Sequence, residues 1–521
     1  MKKQLILVLI LFIFLTGLLA KENKKKKDSI NLSAKASFSK NPIKRKKKLG
    51  RATLEFFGLM GYWQTRYWIV YTDYIEDWQF EFTLKDQTKR LFTSEGYRLD
   101  SNCYSLNWLH SIAGAGFYTV ARSNYYGWLK SLLFSTLGSA YWEYIVEWRE
   151  VISFNDMIIT PIGGLSFGES MFQTSNYYSG KDGFINKILS FVTSPISRVN
   201  KWFDRKTYPI TQQEIGWGKF DILLGYEKTS GNDSDKENNS LFNFSFDNRQ
   251  IIIPEYGKIG KYNENIKKTL YSRLKFSFSY GKHGVERFSI FTKAMFLGLF
   301  DQSINNNHKG YSMILGLASR FDFFKKRGKT FYDSCDVEVD DGKSLELESP
   351  RAFTDKYTVV NVAGPVLNYT FFNKDFRVKF EIEGYFDFVM INSFAINKYS
   401  KFFDISKVKT TLLYYGYYYG YGYTTEFGFD GEYKNLNFTG NIRYSSYRSI
   451  QGMDRFQDRI SDDFLLKDTI LNYSLELGYK IKNTDFEIFL SLKSRNRYGK
   501  IFSLTDTGNE IRFITGLKIN I

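Results

Sequence analysis

The chain is poor in cysteine, proline and histidine: its 521 residues include 2 Cys, 7 Pro and 3 His. Cys103 and Cys335 lie far apart and form no CxxC or Cys/His spacing. That excludes a disulfide scaffold and a zinc module, and leaves a single bridge between the two open. Few prolines exclude a Pro-rich linker protein. A mean hydropathy of −0.34 excludes a helical transporter built from long apolar spans. What is plentiful is aromatic: 49 Phe, 38 Tyr and 9 Trp, 18% of the chain.

The net charge of +17 suggests a partner of opposite sign until it is located along the chain. Residues 1–51 hold 15 Lys/Arg against Glu22 and Asp28, and the remainder carries 57 Lys/Arg against 53 Asp/Glu. A nearly neutral bulk excludes nucleic acid as a partner of a basic domain. Lys2 and Lys3 precede an apolar run over residues 5–19, followed by the small Ala20. This reads as a signal peptide over 1–20, too short to span a bilayer as a helix. It implies export through the Sec pathway. Residues 21–51, which open with Lys24 to Lys27, read as a basic disordered tether or a patch resting on anionic lipid or polymer.

From about residue 214 the period is two. Phe376, Val378, Phe380, Ile382, Phe386 and Phe388 fall on one face, with Arg377, Lys379, Glu381, Glu383 and Asp387 on the other. The same pattern recurs at 274–280, 471–480 and 486–495, with turn signals such as Asn483-Thr484-Asp485 between runs. Strands of about 9 to 13 residues exceed the roughly 5 to 6 of soluble sheets and match the length that crosses lipid at a tilt. Charged faces suit a wet lumen, and the opposite aromatic faces need lipid as cover. The last strand points Ile511, Phe513, Leu517, Ile519 and Ile521 one way. This is similar to the terminal strand by which the barrel assembly machinery recognises outer-membrane barrels. The expected fold is mainly β with a helical N-terminal part. It is an antiparallel transmembrane β-barrel of about twelve strands over 206–521, with an inserted or capping helical domain over 52–205. A lumen of that width invites a plug, and the helical domain is the expected one. Outer-membrane lipid is the expected surrounding.

In the helical part, a helix over about 105–123 places Asn107, His110, Gly114, Tyr118 and Arg122 on one stripe, and a helix over 128–150 places Ser139, Glu143 and Glu147 on another. Matching stripes predict that Arg122, Glu143 and Glu147 form one buried ionic cluster holding the two helices together, with His110 at its edge. An unpaired buried charge costs several kcal/mol.

The runs "EGYRLDSN", "GFYTVARSNYYG", "GSAYWEYIVEWREVISFNDMIITPIGG" and "SFGES" resemble an uncharacterised bacterial family, the domain of unknown function 3943, whose members usually carry a signal peptide. The resemblance runs from Trp78 through Glu169 and rests on Trp142, Glu143, Glu147, Asn155, Asp156, Gly163, Gly164, Gly168 and Glu169. Ser111 stands where the family tends to place Pro. The family has no established activity, so the resemblance implies none.

Candidate catalytic residues are His110, Glu143, Glu147 and Asp156, but no HExxH or ExxH spacing accompanies them, and neither metal nor cofactor is expected. "PIGGLSFGES" lacks the phosphate-cradling and nucleophile-elbow orders and reads as a tight turn or as close packing against the barrel wall. The tyrosine run 414–423 reads as an interfacial girdle, His283 and His308 as loop residues, and 333–350 as an acidic exposed loop. Function is expected in envelope structure or small-solute passage at the outer membrane. An outer-membrane enzyme acting on lipid or polysaccharide and a soluble periplasmic lipid-binding β-protein are the alternatives. If the aromatic face of 376–388 meets lipid, a cysteine at Phe380 reacts with a membrane-impermeant thiol reagent far more slowly than one at Ser344. Equal rates overturn the assignment.

Overall fold

The computed structural model describes residues 45–71, 79–99, 104–205, 215–233, 239–327, 355–403, 416–451 and 464–520. The signal-peptide span, Cys103, Cys335 and the acidic stretch 333–350 lie outside them.

Twelve strands close an antiparallel barrel: β1 (Trp217–Ser230), β2 (Ser240–Ile251), β3 (Tyr271–Gly281), β4 (Gly284–Ile304), β5 (Gly310–Lys326), β6 (Asp355–Phe372), β7 (Phe376–Asn392), β8 (Tyr417–Tyr433), β9 (Leu436–Ser449), β10 (Leu466–Lys480), β11 (Phe486–Ile501) and β12 (Leu504–Asn520). Each pairs with its neighbour in the chain, and β12 closes on β1 from Ile511 opposite Ser230 to Asn520 opposite Asp221. A short extra strand, Gly260–Ile266, pairs with the end of β4. One mouth carries the tight turns at 305–309, 373–375, 434–435 and 481–485, where His308, Lys434 and Asn483 adopt φ of 56°, 54° and 62°. The other mouth carries the long connections after β5, β7 and β9. This asymmetry is that of outer-membrane barrels, short turns inside and long loops outside. His283 is exposed in the turn between β3 and β4.

Alternation sorts the two faces as the sequence predicts. A cavity of about 290 Å³ inside the barrel is lined by charged residues, among them Arg249, Lys275, Asp322, Arg443, Lys493 and Lys518. Residues one step away point outward. On β8 to β12 they form an exposed belt that includes Phe427, Ile442, Leu475, Leu490 and Phe513. Many of the lumen charges are paired: Lys293 with Glu381 at 2.6 Å, Arg443 with Asp322 at 2.6 Å, Arg249 with Asp221 at 3.1 Å and Lys518 with Glu476 at 2.6 Å.

Apolar side chains cluster inside both ends of the barrel. At the short-turn end Tyr256, Tyr271, Met295, Phe300, Ile314 and Tyr385 pack together. At the long-loop end the segment after β7 turns inward, with a single helical turn at Ile396–Tyr399. There Ala395, Ile396 and Tyr399 join Tyr357, Tyr418 and Ile501. Gly499 and Gly508 make room for it, since a Cβ at either would lie 2.7 or 2.4 Å from Ala395 or Phe394.

The helical part consists of α1 (Leu49–Arg66), α2 (Leu84–Phe92), α3 (Tyr104–Ser123), α4 (Trp128–Tyr141, prolonged by the π-turns Trp142–Val146), α5 (Phe154–Gly163), α6 (Glu169–Ser179), α7 (Phe184–Thr193) and α8 (Pro195–Asp204). The π-turns Gly164–Gly168 join α5 to α6 without a break. Pro161 within α5 has no N–H to complete the regular ladder, and wider turns follow it. The stretch read as a tight turn or as close packing against the barrel wall is helix, and it packs on the wall, where Leu165 meets Phe296 and Phe167 stacks on Phe321.

The bundle is not a plug. Ile159 and Ile162 meet Phe321, Phe323, Val360, Met390, Tyr417 and Tyr419, which are outward-facing residues near the long-loop mouth. Tyr178 meets the outward Phe220 and Ile222 at the start of β1. The continuous helix from α5 to α6 thus runs down the outer wall of the barrel from one mouth to the other. The reason is chemical: the bundle presents apolar side chains to the wall, which fit the aromatic outer face and not the ionic lumen. The basic tether also ends earlier than expected. Lys48 and Arg51 bond Asp204, the latter at 3.0 Å, and helix α1 begins at Leu49.

Candidate functional site

The two polar stripes predicted on α3 and α4 exist, and both face the α5–α6 helix. From α3, His110 Nε2 stands 3.5 Å from Asp156 Oδ1. Tyr118 donates to Glu169 Oε2 at 2.7 Å, and Arg122 grips Glu169 through Nε at 2.8 Å and Nη2 at 3.0 Å. From α4, Ser139 donates to the Asp156 carbonyl at 3.0 Å, and Glu143 accepts the Ser153 N–H at 2.8 Å. Asn107 lies on α3, but its side chain falls outside the described residues.

The predicted cluster is thereby divided. Arg122 pairs with Glu169 and with neither Glu143 nor Glu147, because the helix that lies between α3 and α4 supplies the nearer carboxylate. Gln173 and Thr269 also donate to Glu169, the former at 2.6 Å, so the buried carboxylate has donors on every side. Glu143 and Glu147 meet a different cation, Arg90 of α2, which is fully buried. Its guanidinium donates to the backbone carbonyls of Glu143, Glu147 and Glu150, at 3.0 Å to Glu147 and 2.6 Å to Glu150. A cation at the carbonyl end of a helix satisfies acceptors that the helix itself leaves open. Glu147 takes the indole N–H of Trp142 at 2.6 Å, and Glu150 bonds Tyr67. Burial, with Asp156 beside it, pushes the Glu143 carboxyl well above the usual carboxylate range. Burial, with Glu150 and Glu143 nearby, does the same to Glu147. This group stands at the long-loop end, beside the start of α5.

The glycines serve contact. A Cβ at Gly114 would lie 1.8 Å from the Thr160 carbonyl oxygen, one at Gly163 2.5 Å from Ser111, and one at Gly164 2.4 Å from Ser135. Gly168 faces Tyr118 and Ala115 at 3.0 and 3.1 Å. Gly164 and Gly168 form a GxxxG pair, which lets helix backbones touch and side chains bond across them. Ser135 uses that closeness to donate to Gly114 O at 3.1 Å. Asn155 donates to Asp156 at 3.0 Å, and Ser153 caps α5.

No described group of three His, Cys, Asp or Glu side chains is placed to hold a metal. Glu143, Glu147, Asp156 and His110 are tied to the backbone, an indole and one another, an arrangement that holds helices together. Sequence reasoning missed Arg90, which sits in a polar helix with nothing to mark it as buried. It also missed the pairing role of Glu169, seen only as part of a family motif.

Residues 96–196, which lie in the bundle, match the family described as Domain of unknown function (DUF3943). No curated protein matches the chain. Among solved structures, the NanC porin is similar at 9% identity over 57% of this chain and 98% of that one, with a TM-score of 0.21. The translocator domain of autotransporter NalP from Neisseria meningitidis gives 8%, 58%, 88% and 0.19 in the same measures. A Pseudomonas aeruginosa FadL homologue gives 8%, 58%, 89% and 0.23. These values are too low to transfer a role.

Breaking the Arg122 pair leaves a buried charge unmet, so Glu169→Gln lowers the urea stability of the bundle by about 3 to 5 kcal/mol, whereas a paired Arg122→Met, Glu169→Met change is milder. Unfolding followed by circular dichroism in detergent measures both, and an equal loss in the two variants contradicts the pairing. The raised carboxyls act in the opposite sense. Their contribution is present below the unfolded carboxylate pKa and is lost as pH rises towards the higher folded value. The urea midpoint of the native protein therefore falls between pH 5 and pH 8, and Glu143→Gln, which keeps an oxygen for Ser153 N–H, reduces that fall. An unchanged pH slope in the variant shows that Glu143 is ionised in the fold.

Proposed function

We propose that this chain is an outer-membrane barrel that does not conduct solutes and whose role is structural: it holds a helical bundle in lipid alongside its own wall. The observation that carries this reading is the inside-out pattern of α4. Leu129, Leu133 and Leu137 are 62%, 55% and 54% exposed, while Ser131, Ser135, Gly138 and Ser139 are buried. Water would drive the leucines inward, at roughly 1.5 to 3 kcal/mol for each side chain. In lipid, small and polar residues make the helix contact and apolar ones face out. Phe57 of α1 and Phe191 of α7 are likewise at least half exposed.

No described helix is long and apolar enough to cross a membrane alone, and the bundle's buried ion pairs explain why hydropathy does not mark it. Solute passage is disfavoured by the apolar layers at both mouths. The enzymatic alternative is disfavoured by carboxyls already engaged in helix contacts. Placement in the outer membrane after Sec export, insertion by the barrel assembly machinery, and outer-membrane lipid as partner belong to this proposal, supported by the outward belt and the loop asymmetry.

Purified protein inserted in planar bilayers gives no conductance steps above background, and a cysteine at Leu133 is quenched by lipid-borne spin label while one at Lys282 is not. Porin-like steps, or labelling of Leu133 as fast as Lys282 by an impermeant reagent, overturn the reading.

A further inference from the structure

The pairing of charges inside the barrel leaves out two lysines. Every carboxylate on the wall of the 290 Å³ cavity has a cation of its own at 3.2 Å or closer. Lys275 of β3 and Lys493 of β11 line the same wall, and neither meets a carboxylate or any other hydrogen-bond partner among the described residues. Both lie within strands described from end to end. Lys493 stands opposite Arg512 of β12 in the ladder, and the charges of Lys275 and Arg512 both act on it. Arg512 reaches Glu510, at 3.5 Å from Nε, but that carboxylate is already held by Arg287 at 2.9 Å and by Lys326. The acidic groups that face the two lysines are engaged in the same way: Glu476 with Lys518 at 2.6 Å, Asp247 with Arg273 at 2.7 Å, and Glu227 with Arg287 and Ser279. Ser491 lines the cavity two residues before Lys493 and is 1% exposed, and its hydroxyl has no hydrogen-bond partner among the described residues.

We infer that the lumen binds a phosphate-type oxyanion between Lys275, Lys493 and Arg512, with Ser491 as a neutral donor. Cations gathered in a narrow interior repel one another, and a charge held there without a partner is costly. An anion among them removes both penalties. Two ammonium groups, a guanidinium and a hydroxyl reach the space from three strands, and a tetrahedral anion can offer an oxygen to each of them. The site is built from the barrel wall alone. It goes beyond the structural role proposed above, since neither the bundle's place in lipid nor the lack of conductance enters the argument.

The test uses the full-length protein in detergent, with inorganic phosphate as the probe and chloride holding the ionic strength constant. Equilibrium dialysis should find about one phosphate per chain, and the melting temperature should rise with phosphate, because a ligand that binds only the folded state stabilises it. Lys275→Gln together with Lys493→Gln should weaken binding about tenfold or more and remove the thermal response, without lowering the melting temperature in phosphate-free buffer. Lys493→Glu, which sets a carboxylate among the remaining cations, should raise that temperature and abolish the response. Glycerol 3-phosphate that displaces the bound ion at a lower concentration than phosphate itself identifies an ester as the ligand, and failure to displace it identifies the free ion; either result retains the site. Native protein that takes up no phosphate, or uptake unchanged in the folded double variant, overturns it. So does a double variant less stable than the native protein without phosphate, because the lysines are then neutralised within the fold. Conductance and the exposure of Leu133 are untouched by these results, so the structural proposal stands or falls separately.

Discussion

Every strand of a closed barrel has two faces, and each must be covered by a different medium. Here the inner face is charged and the outer face aromatic, one residue apart along the chain. Many of the inner charges are met by one another, as in the pairs of Lys293 with Glu381 and Arg443 with Asp322. This keeps the lumen narrow and ionic. The outer faces have two covers. On β8 to β12 they remain an exposed belt, and from β1 to the start of β8 much of the surface is taken by helices that lean on Phe220, Phe321, Met390 and Tyr417. The bundle's position follows from the barrel's alternation.

The bundle solves its own version of the problem. Its helices approach through Gly114, Gly163, Gly164 and Gly168, which brings carbonyl oxygens and serine hydroxyls within bonding distance. It then neutralises each charge that this packing removes from solvent. Arg122 meets Glu169 through two donors. Arg90 meets the carbonyl end of α4, and the nearby carboxyls Glu143 and Glu147 are held by hydrogen bonds and pushed towards the neutral form. The outward leucines of α4 are the counterpart of these inward polar contacts.

Two apolar clusters narrow the ionic lumen at its ends. The inward turn after β7 uses Gly499 and Gly508 as its seat, and Tyr256 is brought beneath the other mouth by the link between β2 and β3. Neither was visible in the pattern, since both depend on a connection folding back into a space that exists only once twelve strands have closed.

The sequence alone determined the barrel, its approximate strand number, the sorting of charged and aromatic faces, and the two polar stripes on α3 and α4. Each of these is a local period, and the backbone geometry of a strand or helix converts a period directly into a face. The tertiary structure alone decided what lies opposite each face. It put Glu169 and not Glu143 beside Arg122, chose close packing over a tight turn for the glycine-rich stretch, and set the bundle outside the barrel. A period specifies the direction in which a side chain points. Its partner comes from whichever distant segment can satisfy that side chain at the lowest cost in desolvation, and no local spacing records that choice.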